Sequence, residues 1–298
     1  MAGAVETWHE LPHLPQDDGR HVRRAEWVSG ALTVARHEAP DTTGGSRQER
    51  AMRPRVFVVS MYCQRVSGTA FWQQHGDTWA RRSEHGLPNA AYDRPAILRL
   101  AGDVTGWRVL ELGCAAGVLT RQLADRGASV LGLDREPQMA ALARQRLEGR
   151  ARVEVADLEQ PLDMVPDACI DLVVASLVLH YIEDWRPLLA ELHRCLVPGG
   201  ALVFSIHHPI TGWQLCGKAD YHRTELVSEQ YDYDGQLVTV QMYRRPISAI
   251  FSQLRGAGFT VDAVDEPQPE TTGEPSDPEV MHILQTQPVF LFIRALRA

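Results

Sequence analysis

The chain has 298 residues, 44% of them hydrophobic, enough for one large α/β domain with extra segments or for two small domains. Its net charge of −8 argues against a nucleic-acid backbone as the main partner, and no Lys/Arg stripe offsets that balance. The five cysteines (Cys63, Cys114, Cys169, Cys195 and Cys216) include no C-x-x-C pair, and an odd count closes no disulfide framework, so a reduced, cytoplasmic compartment is expected. No signal pattern opens the chain and no apolar run reaches bilayer length, so no membrane partner is expected.

Residues 1–68 mix charges with Pro12, Pro15 and Pro40 and read as an N-terminal extension, accessory or disordered. Residues 69–298 read as the folded domain. Phe71, Trp72, His75 and Trp79 recur at helical spacing, and Tyr92-Asp93-Arg94-Pro95 opens a second helix, where an early proline is tolerated. From Trp107 strands and helices alternate. Strands are predicted at 108–112, 129–134, 153–155, 170–176, 201–206, 259–264 and 289–293, with helices at 118–126, 137–147, 185–196 and 246–257. Near-continuous apolar strands separated by helices imply a parallel sheet covered on both faces.

The first strand runs into Gly113-Cys114-Ala115-Ala116-Gly117, a small-residue turn at a helix start, where glycines let the backbone approach a ligand closely. Asp134 ends the next strand, 21 residues after Gly113, where a carboxylate can accept from a ribose diol. A dinucleotide would want a G-x-G-x-x-G turn, but Ala115 and Val118 stand at its second and third glycines. Glu111 would also face the pyrophosphate unfavourably. S-adenosylmethionine (SAM) has no phosphate; its ammonium suits Glu111 and its carboxylate suits the helix N-terminus.

Here the sequence resembles the class I SAM-dependent methyltransferases, from about Trp72 to the C-terminus. Glu111, Gly113 and Gly117 match the first motif, with Ala115 in place of its usual central glycine; Asp134 matches the ribose-binding acid, and Asp157-Leu158 the adenine-binding turn. Ser176 to Tyr181 matches the segment after the fourth strand, and Pro198-Gly199-Gly200 the turn before the fifth. The resemblance implies a Rossmann-like, doubly wound, seven-stranded sheet, mostly parallel with an antiparallel final strand and helices on both faces. It also implies SAM as cofactor, with Cys114, Arg135, Met139 and Ser176 joining the residues above at its site. Met139 is equally suited to cover the adenine or to fill helix core.

An O- or N-acceptor must lose a proton on methylation, so His180, His207 and His208 at the ends of the fourth and fifth strands are the candidate bases. His207 and His208 point oppositely if the strand continues, so one of them is expected to face the site. No third ligand at helpful spacing accompanies them, so no metal is expected. The stretch 209–245 is long for a connection and is read as an acceptor-site insertion, with an ordinary hairpin packing its own aromatics as the alternative. Tyr92, Tyr181, Trp213 and Tyr221 are the candidate acceptor contacts, and their rings would also stabilise the cation formed by C-methylation of an olefin. A small-molecule acceptor, a natural product, is expected; a homo-oligomer is compatible with the sequence. The alternatives are a SAM-binding cyclase or regulator without methyl transfer and, more weakly, a nucleotide-dependent oxidoreductase.

Overall fold

The computed structural model describes residues 76, 80, 81, 83–218, 220–233, 236–270 and 276–298. The N-terminal extension and the helical spacing of Phe71, Trp72, His75 and Trp79 lie outside the described residues. Strands β1 (Arg108–Leu112), β2 (Ser129–Asp134), β3 (Arg152–Val155), β4 (Ile170–Ala175) and β5 (Leu196–His207) are mutually parallel. After them come a hairpin, β6 (Glu225–Tyr233) and β7 (Gln236–Arg244), and then β8 (Phe259–Asp265) and β9 (Phe290–Arg297). The main sheet has seven strands in the order β3-β2-β1-β4-β5-β9-β8, and β9 runs antiparallel to both of its neighbours. The fold is the expected doubly wound sheet. Strand order reverses between β1 and β4, the place where an open α/β sheet leaves a crevice at its carboxyl edge.

Alternation along the strands explains why both faces are covered. In β1, Val109 packs with Val130, Leu172 and Val203 on one side, while Leu110 and Leu112 pack with Val173, Leu202 and Phe204 on the other. Helices α1 (Arg94–Ala101) and α2 (Val118–Asp125) cover the first side through Ile97 and Leu123. On that side α3 (Pro137–Leu147) instead closes a smaller cluster of Ala140, Ala143, Leu147 and Val153. Helix α4 (Trp185–Cys195) covers the second side with Leu189 and Leu192. Helix α5 (Pro209–Leu215) follows β5, α6 (Ile247–Gly256) packs Ile250 and Leu254 beside α4, and α7 (Pro278–Thr286) sets Leu284 beside α1. Among the described residues no helix is long and apolar enough to cross a membrane.

Three elements differ from the sequence expectation. The helix expected to open at Tyr92 begins upstream, where Pro88–Asp93 forms a π-helical turn that runs into α1. Pro88 occupies the first turn, where its missing N–H costs nothing, and Asp93 does not cap because its carboxylate is engaged elsewhere. Helix α7 was not foreseen, although Asp277 caps it by accepting from the Glu279 and Val280 N–H groups ahead of the early Pro278. The 209–245 stretch adds a short helix ahead of the β6–β7 hairpin.

Asp93 is fully buried and accepts from two serine hydroxyls, Ser176 just beyond β4 and Ser205 on β5, each at 2.5 Å. Ser205 Oγ in turn accepts from the Leu177 N–H at 3.0 Å, and Leu177 sits at φ +49, a costly conformation for a bulky residue. Burial raises the Asp93 carboxyl to about 6, opposed by the two serine bonds and by Arg94. Asp93→Ala leaves both hydroxyls without their acceptor and is expected to lower unfolding stability by about 1–3 kcal/mol in urea denaturation. An unchanged denaturation midpoint would show that the bridge is dispensable.

Candidate active site

The turn after β1 crosses to β2, with the Cys114 N–H donating to the Leu133 carbonyl at 2.9 Å. Gly113 (φ +66) and Gly117 (φ +76) carry the left-handed backbone this path requires. A Cβ on Gly113 would lie 2.6 Å from Val178 Cγ2, so the turn after β1 and the turn after β4 meet there with no room to spare. Ala115, at the family's central glycine, is also left-handed (φ +45), held by its N–H to Asp134 Oδ2 at 2.8 Å. Arg146 braces the turn from outside, donating to the Ala116 carbonyl at 2.8 Å and pairing through both Nη atoms with Glu84.

Three carboxylates follow adjacent strands. Glu111, 2% exposed, accepts from Thr120 Oγ1 at 2.6 Å; burial lifts its carboxyl to about 8, and nearby Asp134 adds to the rise. Asp134 accepts the N–H groups of Ala115 and Glu136, one on each oxygen, which leaves each oxygen a second lone pair. Asp157 is exposed and caps its own turn, accepting the Glu159 N–H on Oδ1, while Leu158 behind it is buried. Arg135 lies half-exposed at the rim, 3.4 Å from Glu136. Met139 is buried, its methyl where a Gly76 Cβ would fall, which places it in packed helix surroundings. The Ser176 hydroxyl donates to Asp93, so toward a ligand its oxygen can only accept.

Beyond Gly113, the ends of β4 and β5 and the hairpin line a small chamber that opens in part to solvent. His180, in a 3₁₀ turn after β4, is 4% exposed and its Nδ1 has no partner. Desolvation holds it well below the ordinary histidine range, aided by His207 and Arg245. The Trp185 indole N–H pins this turn through the Leu179 carbonyl at 2.8 Å. The His207 ring meets His180 edge-on at 4.7 Å, and Tyr181 lies against the other side of His180 at 4.5 Å.

The expected opposition of His207 and His208 does not arise, because β5 ends at His207 and both histidines line the chamber. His208 instead caps α5: its Nδ1 accepts the Ile210 N–H at 3.1 Å and its Nε2 lies 2.8 Å from Glu266. With Nδ1 accepting, this imidazole is neutral and has no lone pair left for an acceptor's proton. Tyr92, expected at the acceptor, is in the core, stacked on Phe290 at 5.4 Å and tilted against Phe292. Trp213 and Tyr221 pack edge-on against each other at 6.0 Å, and neither lines the chamber. The chamber's aromatic side chains besides histidine are Trp185 and Tyr243. Sequence reasoning missed Trp185 and Arg245.

Residues 110–204 match a family model described as a methyltransferase domain. A solved S-adenosylmethionine-dependent methyltransferase from Mesorhizobium loti is 30% identical, covers 71% of this chain and all (100%) of its own, and superposes with a TM-score of 0.56. The chain belongs to the SAM-dependent methyltransferases. Curated relatives include malonyl-[acyl-carrier protein] O-methyltransferase of Serratia marcescens, 37% identical over 37% of this chain and 42% of that protein. Trans-aconitate 2-methyltransferase of Variovorax paradoxus (strain S110) is 38% identical over 33% of this chain and 38% of that protein. The matches thus span less than half the length of either relative. The methyltransferase uses SAM, and the donor set fits it: the acids at the ends of β1, β2 and β3 accept hydrogen bonds, as an ammonium, a ribose diol and an adenine amine require.

The Glu111 carboxyl links stability to pH. Its folded value, about 8, lies above the usual carboxylate range, so its stabilising contribution is complete below about 4.5 and is lost as pH rises through 8. Glu111→Gln keeps an acceptor for Thr120 without the charge. In the absence of ligand it is expected to be more stable than the parent at pH 8, by on the order of a few kcal/mol, with the two converging near pH 5. Parallel thermal unfolding curves at both pH values, with no gain at pH 8, would contradict the buried-carboxylate assignment.

Proposed function

We propose that this methyltransferase transfers the SAM methyl group to a small molecule, a natural product of modest size, held in the chamber at the ends of β4 and β5. The observation that carries the reading is the contact between Gly113 and Val178, which puts the cofactor turn and the His180 turn side by side at the strand-order reversal. When bound, SAM supplies an electrophilic methyl on a sulfonium. Glu111 attracts its ammonium, and the N-terminus of α2 suits its carboxylate. Asp134 accepts from the ribose diol with its remaining lone pairs. The free oxygen of Asp157 takes the adenine amine, and the Leu158 N–H meets the ring.

The chamber walls hold the acceptor in line and keep bulk water from it, which is where much of the rate of a displacement arises. His180 is neutral and a weak base, so its unpartnered Nδ1 orients an acceptor hydroxyl or amine more than it ionises one. O- or N-methylation is favoured over C-methylation of an olefin. A carbocation would sit beside the buried Arg245 guanidinium, which already covers the Trp185 face at 4.1 Å. A SAM-binding regulator of the same fold is disfavoured by a chamber next to the donor strands into which His180 and Arg245 converge.

The test is release of S-adenosylhomocysteine and transfer of labelled methyl from SAM into a metabolite extract. His180→Ala and His207→Ala are expected to lower turnover with SAM affinity retained, near the lower end of the roughly 10²–10⁴-fold typical of a lost general base. Trp213→Ala is expected to keep turnover, and His208→Ala to lose stability with the α5 cap. Wild-type turnover in both chamber variants would place the acceptor elsewhere.

A further inference from the structure

Arg245 follows β7, lines the chamber and is 2% exposed. Its Nη2 donates to the Ile182 carbonyl at 2.6 Å and reaches the Glu183 carbonyl at 3.5 Å. Its Nε and Nη1 are buried with no hydrogen-bond partner, and no carboxylate of the described residues pairs with it. The adjacent Arg244 is the opposite case: it pairs with Glu225 at 2.5 Å and donates to the Asp220 and Tyr221 carbonyls, tying the hairpin to the loop before it. The carboxylates around the chamber are each committed elsewhere. Glu225 holds Arg244, Glu183 accepts from the Tyr243 hydroxyl at 3.0 Å, and Glu266 holds His208. Among the described residues no acid lines the chamber itself.

A buried guanidinium with unmet donors carries a large desolvation cost, which Asp184 and Glu183 offset in part through space without hydrogen-bonding to it. The unpartnered His180 Nδ1 lines the same space, as do the apolar side chains of Val227 and Met242. We propose that the acceptor is a small carboxylate with an apolar or aromatic body, and that its carboxylate pairs with Arg245. This deepens the preceding reading and rests on it: the chamber is the acceptor site, and Arg245 selects the anion. Arginine suits a planar carboxylate of single charge; a phosphate dianion would call for a second cation, and the adjacent Arg244 is already paired with Glu225. The pairing is recognition; no bond is made or broken at Arg245.

The full chain, saturated with S-adenosylhomocysteine, is titrated with sodium benzoate, sodium cinnamate, benzamide, cinnamamide and inorganic phosphate. The readout is the Arg245 Nε–H resonance, assigned by its disappearance in Arg245→Lys. At least one of the two acids is expected to shift that resonance and to bind about tenfold or more tightly than its amide, a preference that Arg245→Lys reduces. Phosphate is expected to leave the resonance unmoved. Amides that bind as well as the acids, phosphate acting alone, or no shift with either acid would overturn the proposal, and the wild-type titration decides even if the variant folds poorly. The two readings fail separately. An acid that shifts Arg245 without slowing methyl transfer to the metabolites found by labelling keeps the anion site and removes the acceptor reading. Chamber variants that stop transfer while no acid reaches Arg245 keep the acceptor reading and remove this one.

Discussion

A single buried carboxylate fixes the boundary between the two halves of the site. Asp93, from the π-helical turn before α1, takes the hydroxyls of Ser176 and Ser205 and so ties that turn to the ends of β4 and β5. Through Ser205 the same network holds the Leu177 N–H, and with it the left-handed backbone that turns the chain after β4. That turn presses Val178 onto Gly113 and swings His180 into the chamber. Strain at Leu177 persists because hydrogen bonds on both sides over-determine it. The arrangement of cofactor turn and chamber is therefore a consequence of one polar bridge as much as of sheet topology.

Charge divides across this boundary. On the side of β1 to β3 the polar groups are acids, Glu111, Asp134 and Asp157, with Glu111 buried deeply enough to resist ionisation. On the side of β4, β5 and the hairpin they are bases, and burial drives His180 and Arg245 toward their neutral forms, Arg245 down to about 10. Each side is thus unfavourable alone and suited to a ligand of the opposite sign: a donor carrying an ammonium and a sulfonium on one, the proposed carboxylate on the other. Perturbed groups gathered in one cleft in this way are what functional sites display, whereas the paired surface arginines, such as Arg108 with Asp171, serve only local structure.

The sheet was legible because its strands are buried on both faces, so β1, β2 and β4 read as near-continuous apolar runs. Gly113 and Gly117 were legible for a steric reason, since both need positive φ, and Ala115 departs from the family's glycine while keeping that conformation. The aromatic assignments were not legible. Tyr92 and Trp213 present the same local signal whether their rings meet core or ligand, and only packing against Phe290 and Tyr221 decides it. Arg245 was hidden in a chain whose basic charge is almost all arginine, because nothing local marks a guanidinium for burial. Helix α7 carried a readable mark of its own, Asp277-Pro278 before an apolar run.

The account turns on the methyl donor lying against the boundary that Asp93 builds, with its methyl facing the chamber. The direct measurement is a nuclear Overhauser experiment on the chain bound to SAM carrying a ¹³C-labelled S-methyl group. The account predicts contacts from that methyl to the ring protons of His180 or Tyr181, and none to Trp213. Contacts to Trp213 or Tyr221 without any to the 179–181 turn, or no binding of SAM at all, would contradict it.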